Sequence, residues 1–179
     1  MSDAERTDPV ELAVDNWRGA GWNRAASGMA AVTSVMRVQQ LMLQRIDDAL
    51  EPFGLTFARY EVLMLLVFSR TGALPPGKAG ERLQVHPASI TNAINRLERD
   101  GLVSRSANPR DGRSVLVEIT DAGRDTAAAA CGALNAEVFE TMPLPDDSLD
   151  VLFDLLRGLR AGWGDIDGSL RGGTAAHRE

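Results

Sequence analysis

Cysteine is almost absent from this sequence. Its 179 residues include one, Cys131, so no internal disulfide forms and a small secreted scaffold held by bridges is excluded. A reducing cytoplasm is the expected location. Histidine is nearly as scarce: His86 and His177 stand far apart, with no cysteine at a metal-binding spacing from either. No window reaches the roughly 18 consecutive apolar residues of a membrane span. The opening MSDAERTDPVELAVD lacks the basic start and apolar stretch of a signal peptide. The expectation is a soluble protein with no membrane partner, no metal and no cofactor. Paired carboxylates are missing too. Asp47 with Asp48, and Asp146 with Asp147, are sequence neighbours and diverge on a helix, which disfavours general acid–base chemistry. No enzyme is expected.

What is present is ordinary in bulk and uneven in distribution. Apolar residues make up 44% and charged residues 25%, the balance of a globular protein able to bury a core. The net charge of −6 argues at first against nucleic acid, which needs local positive potential. Residues 77–113, however, hold seven basic against four acidic residues, while residues 114–179 hold five against twelve. A basic middle flanked by acidic segments suits a DNA-reading module between helices that do not touch DNA.

Pro9 opens a short helical stretch reaching Trp22, broken near Gly19 and Gly21 and carrying Trp17 and Trp22. Residues 1–28 read as an N-terminal appendage. From Met29 to Leu50 apolar residues recur every three or four positions, the mark of a long amphipathic helix. A second apolar line through Val38, Leu41 and Met42 widens the stripe beyond what one small core requires, as in a helix that faces another subunit. A broad core face is the alternative. Thr56 is the expected N-cap of an apolar helix from Phe57 to Ser69. Lys78 to Leu83 forms a short helix, Gln84 to His86 a tight turn, and Pro87 to Asp100 a second helix. Ile90, Ile94 and Leu97 fix one buried face of that helix, and Gly101 ends it with a left-handed residue. The period then changes from 3.6 to 2. Val115, Val117 and Ile119 alternate with polar positions after the turn Asn108–Arg113, giving a β-hairpin. Thr120 caps a helix from Ala122 to about Thr141, and Pro145 and Asp146 open a last one with a stripe of Leu149, Leu152, Phe153, Leu156 and Leu159. Residues 162–179 are expected to fray.

Helix, tight turn, helix and basic-tipped hairpin follow one another in the order of a winged helix-turn-helix. A helix lying in the major groove needs small and hydrogen-bonding side chains outward, so that its axis approaches the base edges. Pro87, Ala88, Ser89, Thr91, Asn92, Asn95 and Arg96 supply such a surface; a merely solvated helix face is the alternative. On the hairpin, Arg110 and Arg113 flank Asp111, and Gly112 lets the turn bend. A guanidinium held there suits a narrow, electronegative minor groove, with Asp111 orienting Arg113. An ordinary polar turn is the alternative.

The segment VHPASITNAINRLERDGLVSR, followed by NPRDGRSVLVEITDAGRD, resembles the MarR-type winged helix-turn-helix transcriptional regulators. The likeness rests on the recognition helix, the Leu-Glu-x-x-Gly-Leu-Val exit, the Asp-x-Arg wing and the Leu-Thr-x-x-Gly return, which reads Ile119, Thr120, Asp121, Ala122, Gly123 in this chain. It extends over about Met29 to Leu159. The fold it implies is mainly α with a small β-hairpin wing: a DNA-binding domain over 55–120 and a helical dimerisation region over 29–54 and 121–161. The function implied is a homodimeric regulator, a repressor, on a pseudo-palindromic operator in double-stranded DNA.

Relatives commonly bind aromatic or phenolic anions in a cleft between the dimerisation helices and the winged domain, which weakens their hold on DNA. Trp17, Trp22, Arg59, Glu61 and Arg70 are the candidates for such a cleft, with packing or surface solvation as the alternative for each. A urate-responsive branch carries an extra N-terminal helix with a tryptophan, an aspartate where Glu61 stands, and a recognition-helix arginine that aligns with Ala93, so the resemblance does not extend to urate. Cysteine-based oxidant sensors use a residue near the start of the first long helix, where this chain has none, and Cys131 does not inherit that role. The rival readings are a winged-helix regulator without an effector, a winged-helix module that binds only proteins, and a helical enzyme.

Overall fold

The computed structural model describes residues 8–109 and 111–167, with the backbone alone at 111–113. Arg110, the side chains of Asp111 and Arg113, and His177 therefore lie outside the described residues. The chain divides into two compact units, one ending at Glu140 and the other beginning at Thr141.

In the first unit, α1 (Pro9–Gly19) starts where the Asp8 carboxylate accepts the Val10 amide at 2.8 Å and Pro9 fills the first turn. Gly21, at φ 85°, turns the chain into α2 (Asn23–Leu50). This helix begins at Asn23 rather than at Met29. The segment NRAASG carries no apolar stripe, so its helicity follows from alanine propensity and from packing of α1 against α2. Of its 28 residues only Ala26, Ile46, Ala49 and Leu50 are buried, while Val32, Val35, Met36, Val38, Leu41 and Leu43 are exposed in the single chain.

A 3₁₀ turn and Gly54, at φ 63°, lead to α3 (Phe57–Val67). Thr56 occupies the N-cap position, but its hydroxyl does not cap the helix; it accepts from Arg59 Nε at 3.3 Å instead. The helix stops before Ser69, whose hydroxyl donates back to the Leu66 carbonyl at 2.8 Å. Next come β1 (Ala73–Leu74), α4 (Pro76–Leu83), α5 (Pro87–Arg99), β2 (Val103–Asn108) and β3 (Asp111–Ile119).

The expected hairpin forms from β2 and β3, and β1, which the sequence did not announce, pairs with the other edge of β3 to make a three-stranded antiparallel sheet in the order β1-β3-β2. Ala73 pairs with Glu118, and Arg105 with Val117. Val103, Val117 and Ile119 enter the core, but Val115 stays exposed. Leu63, Leu66, Ile94, Leu97 and Leu134 are fully buried and join α3, α5 and α6 (Asp121–Leu134) into one core. Each such side chain contributes roughly 1.5–3 kcal/mol by leaving water. The end of α6 relaxes into a π-helical turn, Asn135–Phe139, where a uniform helix was expected.

The second unit holds α7 (Asp146–Gly162). No residue of α7 is buried. Phe153 and Leu159 of the expected stripe are exposed, along with Val151 and Leu155.

Candidate nucleic-acid interface

The turn between α4 and α5 is compact because Gln84 takes a left-handed conformation at φ 53° and Val85 donates its amide to the Gly80 carbonyl at 3.2 Å. His86 then caps α5: its Nδ1 accepts the Ala88 amide at 3.2 Å, and Pro87 fills the first turn, where no amide donor is needed. Ile90, Ala93, Ile94 and Leu97 hold the inner face in the core. Pro87, Ala88, Ser89, Thr91, Asn92, Asn95 and Arg96 are consequently all exposed, on the outer face. Ala93, the position aligned with the urate branch's arginine, is buried.

Two of these outward residues are already engaged. The Thr91 hydroxyl donates to the Pro87 carbonyl at 2.9 Å, leaving its lone pairs free to accept. Asn95 Oδ1 accepts from Arg105 Nη2 at 2.6 Å, and Arg105 Nη1 lies against the Glu98 carboxylate. Arg105 was not among the residues nominated from the sequence; pairing over ten positions between helix and strand leaves no periodic signal. Lys78, Arg82, Arg96 and Arg99 are exposed around α4 and α5, so the basic middle of the sequence becomes a basic surface.

Wing and helices are joined by a knot of short contacts. Gly101, at φ 74°, ends α5, and its carbonyl accepts the Thr120 hydroxyl at 2.8 Å. That hydroxyl in turn accepts the Gly123 amide at 3.0 Å, capping α6 as expected. The Thr120 amide donates to the Leu102 carbonyl at 3.1 Å. The motif Ile119–Gly123 thus ties the end of α5, the base of the wing and the start of α6 to one point.

The residues nominated for a ligand do not converge on one cavity. Trp17 and Trp22 pack edge to face, with ring centroids 5.3 Å apart, where α1 meets α2. Arg59 is half-buried and reaches Asp100 at 3.4 Å, bracing α3 against the end of α5. Glu61 is half-buried, and burial pushes its carboxyl above the usual range. Arg70 is exposed and lines a broad groove beside the wing.

A separate groove of about 440 Å³ runs between α3 and α6, lined by Met64, Val67, Phe68, Arg124, Ala128, Cys131, Gly132 and Asn135. It is mostly apolar, with the Arg124 guanidinium resting against Gly72 near one end. The α6 residues recur at helical spacing, a signal present in the sequence but hidden by their small size. Cys131 accepts from Asn135 Nδ2 at 3.8 Å. Burial first, and then its contact with Cys131, raise Tyr60 above the usual phenol range. No described helix is long and apolar enough to cross a membrane.

Comparison with known proteins agrees with this geometry. A sequence model of the MarR family matches residues 55–115. A MarR family transcriptional regulator from Streptomyces coelicolor is 48% identical, with a TM-score of 0.71, over 79% of this chain and 98% of that one. A helix-turn-helix transcriptional regulator of Mycobacterium leprae is 36% identical over 120 residues, 66% of this chain and 80% of that protein. CouR from Rhodococcus jostii RHA1, solved with p-coumaroyl-CoA bound, is 26% identical with a TM-score of 0.62, over 70% of this chain and 87% of that one. With an exposed recognition helix, a wing knotted to its base and relatives that share both sequence and fold, the chain belongs to the MarR family of DNA-binding transcriptional regulators, and it is not an enzyme.

Proposed function

We propose that the chain acts as a homodimeric repressor, reading a pseudo-palindromic operator with α5 and releasing it when a small aromatic or phenolic anion binds. The observation that carries this reading is the division of exposed surface. The outer face of α5 is small and polar, whereas α2 and α7 expose large apolar residues in the single chain. Large apolar side chains left exposed along a whole helix are uncommon on soluble monomers and mark an interaction face, and each of the two helices carries such a set. The boundaries expected from the sequence serve as the working division: residues 55–120 for DNA, residues 29–54 and 121–161 for pairing, with the pairing helix starting at Asn23. Asn92 and Asn95 supply base contacts, and Arg96 together with the wing residues Arg110 and Arg113 supplies phosphate or minor-groove contacts, with Asp111 orienting Arg113.

For the effector, the groove between α3 and α6 supports a ring with an anionic group. Its wall is apolar, and Arg124 has no ion pair among the described residues. The acyl-CoA bound by CouR is a phenolic thioester, so a relative of this fold accommodates that chemistry. Trp17, Trp22, Arg59, Glu61 and Arg70 are alternative contributors. A ligand shifts the equilibrium only by its differential affinity for the free and DNA-bound arrangements, and couplings of about 1–3 kcal/mol are typical.

Sedimentation and mobility shift with DNA upstream of the protein's own gene test the reading together. A dimer should protect two half-sites about 10 base pairs apart. Salicylate-like and p-coumarate-like anions should lower operator affinity roughly 5- to 150-fold, and Arg124→Met should abolish that response. A monomer at saturation, or an operator without dyad character, refutes the DNA reading. No anion effect at millimolar concentration refutes the effector alone.

A further inference from the structure

Asn95 stands on the outer face of the recognition helix, yet its amide is not free. The Arg105 guanidinium reaches across from β2 and forks over two residues of α5, with Nη2 donating to Asn95 Oδ1 at 2.6 Å and Nη1 donating to Glu98. Asn95 and Glu98 are three positions apart and so adjacent on the helix surface, which matches the spread of the fork. Arg105 is itself held by the sheet, opposite Val117 in β3. A guanidinium carries donors only. The amide oxygen must therefore face Arg105, which turns the amide NH₂ away from it. The Arg105 side chain keeps about a third of its surface exposed, at 33%, so docking on DNA would strip water from this cluster and strengthen it.

We propose that Arg105 is a positioning residue that decides which base edge Asn95 reads. The inference rests on the outer face of α5 being the DNA reader. An unconstrained asparagine pairs with adenine in a bidentate way, its oxygen accepting from N6 and its nitrogen donating to N7. The oxygen has two lone pairs and the charged donor takes one, so an adenine amino group reaching for the other would be brought beside a guanidinium whose positive charge repels its N–H hydrogens. Cytosine presents a donor and is disfavoured for the same reason. Guanine, with acceptors at N7 and O6, and thymine, with its acceptor at O4, match the N–H groups that Asn95 turns away from Arg105 and meet no repulsion from the guanidinium. Arg105 thereby converts Asn95 from an adenine reader into a reader of acceptor edges, without touching the base itself.

The test is selection of binding sites from a randomised duplex library by the full-length wild type and by Asn95→Ala, Asn92→Ala, Arg105→Lys and Arg105→Met. Lysine preserves the charge but presents a single ammonium in place of the planar fork, so it separates phosphate attraction from amide orientation. The expected result is a guanine or thymine preference at one position of each half-site, lost in Asn95→Ala. In both Arg105 variants that preference moves toward adenine by roughly tenfold, the worth of one base contact. The other positions keep their preferences and the melting temperature is little changed, whereas a merely structural role for Arg105 would flatten every position together. Three outcomes overturn the inference while leaving α5 as the reader: an adenine preference at the Asn95-dependent position in wild type, Arg105 variants that keep the wild-type preference, or an effect of Asn92→Ala with none of Asn95→Ala. Absence of any sequence preference in wild type removes the reading of α5 and the inference with it.

Discussion

Replacing Gly123 by alanine places a methyl group inside the van der Waals envelope of the Leu102 carbonyl oxygen, 2.9 Å from Ile119 Cγ1 and 3.0 Å from the Leu102 carbonyl carbon. The obstacle is backbone, which cannot swing aside as a side chain does. Relieving it means moving the base of the wing away from α6, and the Leu102 carbonyl that must move is the one accepting the Thr120 amide at 3.1 Å. Overpacking of this kind costs about 1–3 kcal/mol, and losing the hydrogen bond adds about 1 kcal/mol. The intrinsic helix preference of alanine over glycine returns about 1 kcal/mol, so the steric cost wins by roughly 1–3 kcal/mol. For a chain of this size each kcal/mol is worth about 2–4 °C, and Gly123→Ala should melt roughly 2–12 °C below wild type. Gly132, on the same helix, has nothing within 4 Å of an added methyl, so Gly132→Ala should gain up to about 1 kcal/mol from propensity alone. Thermal unfolding followed by circular dichroism, at one protein concentration because pairing would shift the midpoint, reads both variants. If Gly123→Ala melts at or above wild type, the close approach of α6 to the wing is not what fixes this residue as glycine.

Leu97 is fully buried between α5 and the core, so Leu97→Ala should cost about 2–5 kcal/mol, read as a lower urea midpoint; a loss below 1 kcal/mol would mean that α5 is not anchored by this face. Arg59→Met removes an ion pair that is partly open to water and should change stability by no more than about 1 kcal/mol; a larger loss would show that this pair, rather than the core, holds α3 to α5. Glu61 is raised by burial above its ordinary 4.5, so the folded state holds the proton to higher pH than the unfolded chain. The burial penalty is absent below that ordinary value, grows as pH rises through the window between the unfolded and folded values, and is complete above it. Glu61→Gln should accordingly be more stable than wild type at neutral pH, with the difference vanishing as pH falls toward 4; a constant difference across pH 4 to 8 would contradict it.

The parts of this fold that were legible in the sequence are those whose cause is local. Ile90, Ile94 and Leu97 recur at helical spacing because one face of α5 meets the core, and that spacing identifies the opposite face as the outer one. Pro87, Gly101 and Thr120 mark boundaries by chemistry that acts within a few residues: a missing amide, a left-handed φ and a capping hydroxyl. What escaped depends on partners far away in sequence. Ala73 and Leu74 have no strand signal of their own between Gly72 and Pro75, and they form β1 only because β3 presents an open edge. Thr56 has the right residue type for a cap but yields its hydroxyl to Arg59. Val115 obeys the alternation of its strand yet is exposed, because a period of two says which face a residue takes and not whether anything covers it.

The same limit governs the candidate site. Periodicity nominated Asn92 and Asn95 on equal terms, since both are exposed on one helical face. The difference between them arises from Arg105, ten residues beyond Asn95 and on a different element, and it is chemical rather than positional: the Asn95 amide oxygen accepts from a guanidinium, and the Asn92 side chain has no such partner among the described residues. Ligand residues were harder still, because a groove is a property of two helices at once. Its α6 wall is made of Ala128, Cys131 and Gly132, residues whose small size opens the space. A search of the sequence for large aromatic or charged side chains finds what could fill a cavity, whereas the cavity itself is made by the residues that leave room.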